Sequence, residues 1–447
     1  MTVIVGAGLS GLALAEELSR RGDSVTLLEA SARGGGLLDS PRVEGFLLED
    51  AANSFIDREP HTREVLKRLG LEGSVRPATP ASQRRFLFTR GALQELPRTP
   101  PQFLRSPVLP LAAKLRALLE PLSRRRISGS GDESVASFFR RHLGERVTRT
   151  LVDAMQSGIY AGDPERLSLP ATFPKLDALE RDHRSLLLGT LRAARAPKNP
   201  GTLTGETCTF EGGISTLTAA LAREVGAALR PGTTVTGLER SGKGFQVRCQ
   251  TASGDLSEET GRLVLATPSF VTAELVRPLA PELAEELAHI RYAPVAVVHL
   301  GFAAGALAVP PEGFGVLIPE EEKLPLLGII FVSSTFPFRA PAGATLLTCI
   351  VGGARHPEWL EGDVVGRTLT AIGQVLGIHA APSLTRVVRW PQGIPQYDVG
   401  HLARLSRIDA AVAKIPGLFL TGNAYHGVGL HDCLRSAARL GAVLRPD

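Results

Sequence analysis

Gly6-Ala7-Gly8-Leu9-Ser10-Gly11 follows directly on an apolar run, Thr2 to Val5, and that order constrains this chain more than any other feature. Thr2 to Val5 reads as a short buried strand. Leu12, Ala15 and Leu18 then recur at helical spacing up to Gly22, which suits a C-cap. A second strand, Ser24 to Leu28, ends at Glu29. Strand, glycine turn, helix and strand in this order make a βαβ unit suited to a dinucleotide. Gly6 permits the tight turn, Gly8 lets backbone approach a pyrophosphate, and Gly11 lets helix and strand pack closely. The helix start at Leu9 and Ser10 offers free N–H groups and partial positive charge to phosphates. Glu29 is placed to accept hydrogen bonds from ribose hydroxyls.

The remainder of the chain must be globular. Its 447 residues suit two or three domains at about 150 residues each. With 43% hydrophobic and 21% charged residues, it lacks the composition of a disordered chain. Cys208, Cys249, Cys349 and Cys433 lie far apart, so neither a metal site nor a disulfide scaffold is expected, and a reducing compartment fits. Fifty basic against forty-five acidic residues leave +5, spread along the chain without a basic run interleaved with aromatics; nucleic-acid binding is not expected. No secretory signal and no apolar run of about 18 residues is present, so the expectation is a soluble protein or one resting on a membrane surface.

Ala30 and then Arg33-Gly34-Gly35-Gly36 follow Glu29, giving E-x3-R-x-G-G. Here the sequence resembles the flavin amine oxidase superfamily, in which this extension serves FAD. A second candidate flavin segment lies near the C-terminus: Leu418 to Asn423, then Gly427-Val428-Gly429-Leu430-His431-Asp432-Cys433. It reads as a strand entering a glycine-rich turn that opens a helix, another N-terminus suited to electron-rich atoms. The bland alternative is an ordinary βα turn.

Between these ends the pattern changes twice. Prolines punctuate residues 97–110, and amphipathic helices follow at Leu111–Leu119 and from Val135 to Met155, with Phe138, Leu143, Val147, Leu151 and Val152 on the buried side. The arginine-lined stretch Leu104–Arg126 is either a membrane-surface patch or a solvated helix. From Val295 the pattern is mainly strand. The expected fold class is α/β, an α+β multi-domain chain. Residues 1–85, 200–290 and 386–447 would form a discontinuous Rossmann-like FAD domain, 86–199 a helical, membrane-facing insertion, and 291–385 a mixed-sheet substrate domain.

Several segments together resemble protoporphyrinogen oxidases: Asn53-Ser54-Phe55, Arg84-Arg85-Phe86, Tyr160-Ala161-Gly162-Asp163, Gly313 to Pro319, Leu327 to Phe331, Ile394-Pro395-Gln396-Tyr397 and Asn423 to Gly429. The resemblance runs along essentially the whole chain. Two departures are Ala51-Ala52 before Asn53, where relatives usually carry glycine then proline or alanine, and Asn423 where the wider superfamily often has aspartate. The resemblance implies non-covalent FAD held by Gly6, Gly8, Leu9, Ser10, Gly11, Glu29, Ala30, Arg33, Gly35, Gly36, Asn53, Ser54, Val235, Trp390, Gly422, Asn423, Val428, Gly429 and Leu430. It implies that Arg85 pairs with a porphyrinogen propionate, a fork suited to carboxylate. Leu317, Ile330 and Ile350, with Gly158 and Phe331 close by, would wall an apolar slot; on spacing alone they would be ordinary core residues.

No side chain stands out as acid, base or nucleophile, so the chemistry is expected at the flavin. His183 and His431 are candidate proton carriers or plain structural residues. By resemblance, dioxygen is the acceptor and hydrogen peroxide the by-product. Contact with a peripheral membrane is also implied, in the cytoplasm or on the cytoplasmic face of the inner membrane. Relatives commonly form homodimers, and the sequence leaves that open. Competing readings are a coproporphyrinogen III oxidase of the same fold, another flavoenzyme such as a carotenoid desaturase or amine oxidase, and a flavin- or haem-binding chaperone without turnover.

Overall fold

The computed structural model describes residues 1–123, 131–183, 185–242 without 196–204, and 244–444. The expected βαβ unit forms at the N-terminus, with strands Thr2–Val5 and Val25–Leu28 flanking the helix Leu9–Arg20. Gly22 follows the helix with φ +85°. Both strands join a five-stranded parallel sheet completed by Leu229–Arg230, Arg262–Leu265 and Leu418–Leu420. Because side chains alternate along a strand, Ile4 and Val264 face the helices Leu9–Arg20, Ser215–Val225 and Leu430–Val443. Val3, Val5, Leu263 and Leu265 face the other way, onto a three-stranded meander and its neighbouring helices. The sheet is therefore covered on both faces, as parallel sheets require. Its first and last strands come from opposite ends of the sequence, so this unit is Rossmann-like and discontinuous.

A seven-stranded sheet forms the second layer. Its order is Leu384–Pro395, Tyr292–Phe302, Thr345–Gly352, Gly328–Phe331, Gly315–Leu317, Arg85–Thr89 and Ala92–Glu95. One face packs on the helix Val364–Leu376 through Ala296, Val298, Val316, Ile329, Phe331, Cys349 and Ile372. Two segments fall outside the expected boundaries. Arg85–Glu95, expected to lead into the helical insertion from residue 86, is a hairpin at the sheet edge, turning at Arg90 and Gly91, both with positive φ. Leu384–Pro395, assigned from 386 onward to the nucleotide domain, pairs along most of its length with Tyr292–Phe302 and so belongs to this sheet.

The intervening segment is helical, as expected. It includes Leu111–Leu118, Val135–Leu143, Asp153–Tyr160, Pro174–His183 and Leu186–Arg195, with a π-type turn at Thr148–Val152. Phe138, Val147 and Val152 are buried, while Leu143 and Leu151 are partly so. Arg124–Arg126 lie outside the described residues. Among the described residues no helix is long and apolar enough to cross a membrane.

Candidate flavin and substrate site

The glycine turn has the shape its spacing predicts. A Cβ at Gly11 would stand 1.9 Å from the Gly6 carbonyl oxygen, so only glycine lets the helix start there. Gly8 behaves oppositely: a Cβ on it would meet nothing within 4 Å. That open backbone, at the start of a 12-residue helix, is a cradle for an anion. Gly35 donates its N–H to the Ala7 carbonyl at 2.7 Å, and Gly36 approaches Gly8 so closely that its Cβ would stand 3.1 Å from the Gly8 Cα.

Glu29 is buried, and its carboxylate braces this turn. It accepts the Ala7 N–H at 2.7 Å and both the N–H and hydroxyl of Ser31 at 2.8 and 2.7 Å. Carboxylate oxygens have further acceptor capacity for a ribose. Ala30 is exposed beside it, and Thr233, two residues before Val235, donates to the Glu29 carbonyl at 2.8 Å. Arg33 is held by the loop, through the Leu38 carbonyl at 3.1 Å and Asp39 at 3.2 Å.

The C-terminal segment supplies the second helix start. Gly422 takes φ +138°, and Gly429 caps the 14-residue helix Leu430–Val443, with Asp432 Oδ2 accepting the Gly429 N–H at 3.2 Å. Two helix N-termini and the unobstructed Gly8 backbone fit the phosphates and electron-rich ring of FAD.

Strand register builds the substrate face. One row across the seven-stranded sheet reads Arg85, Gly315, Ile330, Thr348, His299, Arg386. The next reads Leu87, Leu317, Gly328, Ile350, Val297, Val388. Directly opposed residues share a face, so Arg85, Leu317, Ile330 and Ile350 all look to one side. Glycines at 315 and 328 leave each row without a side chain mid-way. The helical segment closes on this face: a Cβ on Gly158 would stand 2.9 Å from a Leu317 methyl. Phe331 is a correction. The alternation that points Ile330 at the slot turns Phe331 to the opposite face, where its ring lies 6.2 Å from Phe86 and is 1% exposed.

Arg85 is exposed, lies with its guanidinium 4.7 Å over the Phe314 ring, and has no carboxylate partner among the described residues. Its neighbour Arg84 is committed to Glu95 and Glu312 at 3.1 and 3.3 Å.

At the far end of the row the sheet meets the segment Glu49–Ser54. Arg386 pairs with Asp50 at 2.7 Å, and Trp390 Nε1 donates to the Asp50 carbonyl at 2.7 Å. Arg339, absent from the sequence expectations, is fully buried and donates to Glu49 at 2.5 Å and to the Asn53 carbonyl and Oδ1 at 3.0 and 2.9 Å. It also donates to Thr209. Glu49 further accepts from Ser40 and the Ile214 N–H. Burial outweighs the Arg339 charge and pushes the Glu49 carboxyl up to about 7. Burial, helped by the Arg386 charge, pushes the His299 imidazole down to about 4. No lone-arginine signal in the sequence marks residue 339; its partners Glu49, Asn53 and Thr209 all lie far away along the chain, Glu49 at 290 positions.

The profile of the flavin containing amine oxidoreductases matches residues 9–441. The chain belongs to that family. Within it, the chain is 33% identical to a chloroplastic protoporphyrinogen oxidase of Nicotiana tabacum, across 97% of this chain and 83% of that one. It is 31% identical to the coproporphyrinogen III oxidase of Bacillus subtilis (strain 168), across 97% and 95%. A solved structure from Exiguobacterium sp. 255-15, described as a candidate protoporphyrinogen oxidase, superposes with TM-score 0.86 at 26% identity, covering 99% of this chain and 98% of that one. Like other flavin containing amine oxidoreductases, this chain is an FAD-dependent oxidoreductase. The glycine turn, the Glu29 brace and the C-terminal helix start are the parts that would hold the cofactor.

Proposed function

We propose that this flavoenzyme oxidises protoporphyrinogen IX to protoporphyrin IX late in haem synthesis. The observation that carries the reading is an exposed Arg85, without a carboxylate partner among the described residues, heading its row beside the apolar, glycine-relieved row Leu87, Leu317, Gly328, Ile350. A mostly apolar macrocycle with carboxylates at one edge needs such a surface: burial for the rings and one fork for a propionate. The relatives named for porphyrinogen oxidation support the same substrate class.

Bound FAD supplies two-electron acceptance from carbon, and the protein supplies binding, orientation and exclusion of water. In three such oxidations the macrocycle loses six hydrogens, and three dioxygen molecules take them up as three of hydrogen peroxide. Arg85 anchors the propionate edge, Leu317, Ile330 and Ile350 bear the rings, and Gly158 admits them close to the backbone. Asn53, Ser54, Trp390 and the turn through Val428 to Leu430 border the flavin. Attachment of the enzyme to a membrane, on the cytoplasmic side, would be through the exposed leucines of the helical segment.

Coproporphyrinogen III is the second reading, favoured by the Bacillus relative. It carries four propionates, and among the described residues Arg85 is the cation that the register places on the slot rows away from Asp50. Aerobic turnover of both porphyrinogens, followed by porphyrin fluorescence and peroxide, tests the proposal. Faster oxidation of the dicarboxylate with stoichiometric peroxide is the expected result. Preference for the tetracarboxylate moves the enzyme to the second reading, and no flavin-dependent turnover overturns both.

A further inference from the structure

Tyr397 lies two residues beyond the end of the strand Leu384–Pro395, which carries Trp390, and its ring is 1% exposed. Its hydroxyl spans the C-terminal flavin turn. It donates to the Asn423 carbonyl at 2.5 Å and accepts the Gly427 N–H at 2.8 Å. These two bonds bridge a segment of five residues that contains no regular structure and leads directly into Gly429, the cap of the helix Leu430–Val443. Gly427 takes φ +126°, and a Cβ there would fall 2.3 Å from the Asp432 carboxyl carbon, so the turn has little freedom to rearrange.

The ring is fixed as firmly as the hydroxyl. It stacks on His401 with centroids 4.2 Å apart and lies 5.9 Å from the Tyr160 ring. The preceding residue, Gln396, donates to the Tyr160 carbonyl at 2.9 Å. Tyr160 stands two residues beyond Gly158, on the same helix. The two residues after that strand therefore touch both the helix that carries Gly158 and the turn that opens the helix Leu430–Val443. Burial holds the phenol well above its ordinary pKa, so it stays protonated and able to donate.

We propose that Tyr397 is a positioning residue for FAD, whose hydroxyl shapes the Asn423–Gly427 turn so that the start of the helix Leu430–Val443 meets the flavin ring. The inference rests on the FAD site and not on the identity of the substrate. Tyr397→Phe keeps the ring stacking and removes both turn bonds. Its FAD dissociation constant, read from flavin fluorescence quenching on titrating the apoprotein, rises about tenfold or more, since two buried hydrogen bonds go and a carbonyl and an N–H are left unpaired. The visible absorbance bands of the bound flavin shift as well. Tyr160→Phe removes a hydroxyl of similar burial whose one hydrogen bond among the described residues is to the Thr172 carbonyl, at 3.4 Å, and leaves affinity and bands as in the parent. Equal affinity and an unshifted spectrum in Tyr397→Phe overturn the proposal, as does an equal loss in Tyr160→Phe. Should Tyr397→Phe fail to fold, hydrogen exchange on the parent protein decides: FAD must slow exchange across 423–429, Gly427 included, and unchanged exchange there overturns it.

Discussion

Arg339 donates to Glu49 across 2.5 Å in a place where the arginine side chain is 0% and the glutamate side chain 2% exposed. The pair ties the segment before Asn53 to the connection between the adjacent strands Gly328–Phe331 and Thr345–Gly352 of the seven-stranded sheet. Removing one partner of a buried pair leaves a charge or a donor set without compensation and costs about 3–5 kcal/mol. Arg339→Met and Glu49→Gln are each expected to lower the unfolding free energy by that order, and the double substitution to cost less than the two single losses together. Urea unfolding of the four proteins checks this; additive losses would show that the two residues act independently.

The acid limb of stability should carry the signature of His299. Its folded pKa, about 4, lies below the ordinary histidine value, so the unfolded chain binds a proton that the folded one refuses. The stability this neutral imidazole contributes is fully present above about pH 6.5 and is lost as pH falls toward 4, at about 1.4 kcal/mol per pH unit. Glu49 acts with the opposite sign, since its raised pKa favours the folded state below pH 7. The gap in unfolding free energy between the parent and His299→Gln isolates the histidine. It should shrink steadily from pH 6.5 to 4.5, and a pH-independent gap would contradict the assignment.

The two turn glycines should separate folding from cofactor binding. Gly8 has φ −67° and open space around it, so Gly8→Ala folds with an unfolding midpoint close to the parent's. The added methyl occupies the cradle, and FAD affinity falls about tenfold or more because backbone can no longer approach the pyrophosphate. Gly11→Ala drives a methyl into the Gly6 carbonyl and loses about 1–3 kcal/mol of stability as well as FAD. Thermal unfolding of the apoproteins alongside FAD titration distinguishes the two. Equal destabilisation by both would refute the distinction.

These residues mark where the sequence was readable. The Gly6, Gly8 and Gly11 roles follow from local spacing, and the paired helix starts at both chain ends were visible as glycine turns after apolar strands. Leu317, Ile330 and Ile350 read as ordinary core on spacing alone and became wall residues only through the family resemblance; the pairing of distant strands sets them on one face, and the two-residue alternation through Ile330 turns Phe331 to the other. The edge hairpin Arg85–Glu95 was hidden by the proline-rich stretch beside it. Arg339 and Glu49 carried no local signal at all: 290 residues separate them, and only the packing of one layer on another brings them together.

Arg85 supplies the test of substrate recognition. It makes no ion pair among the described residues, so Arg85→Ala costs the free fold little beyond the exposed stacking on Phe314, worth about 0.5–1 kcal/mol, and FAD affinity should match the parent's. A lost charge-assisted fork to a propionate is expected to raise KM for the porphyrinogen about tenfold or more, with Arg85→Lys recovering only part of it. Steady-state kinetics on the three proteins read this directly. An unchanged KM in Arg85→Ala would move propionate recognition to another cation.

The helical segment leads to the final prediction. Leu111, Leu115, Leu119 and Leu122 are all more than half exposed, Leu122 at 81%, and Arg98 and Arg105 are exposed nearby. Arg116 is not part of this surface, because its guanidinium donates to the Arg141 and His142 carbonyls at 2.7 and 2.9 Å and so caps the helix Val135–Leu143. Leucines that dip into the acyl boundary, with cations at the headgroups, make a reversible membrane contact strengthened by anionic lipid. The parent protein should co-sediment with vesicles containing phosphatidylglycerol, more weakly with neutral ones. Replacing Leu115, Leu119 and Leu122 by serine should abolish sedimentation while FAD content and turnover of detergent-dispersed substrate persist. If the triple variant sediments like the parent, these leucines are only a solvent-facing edge of the helical layer, and the membrane reading for this segment falls.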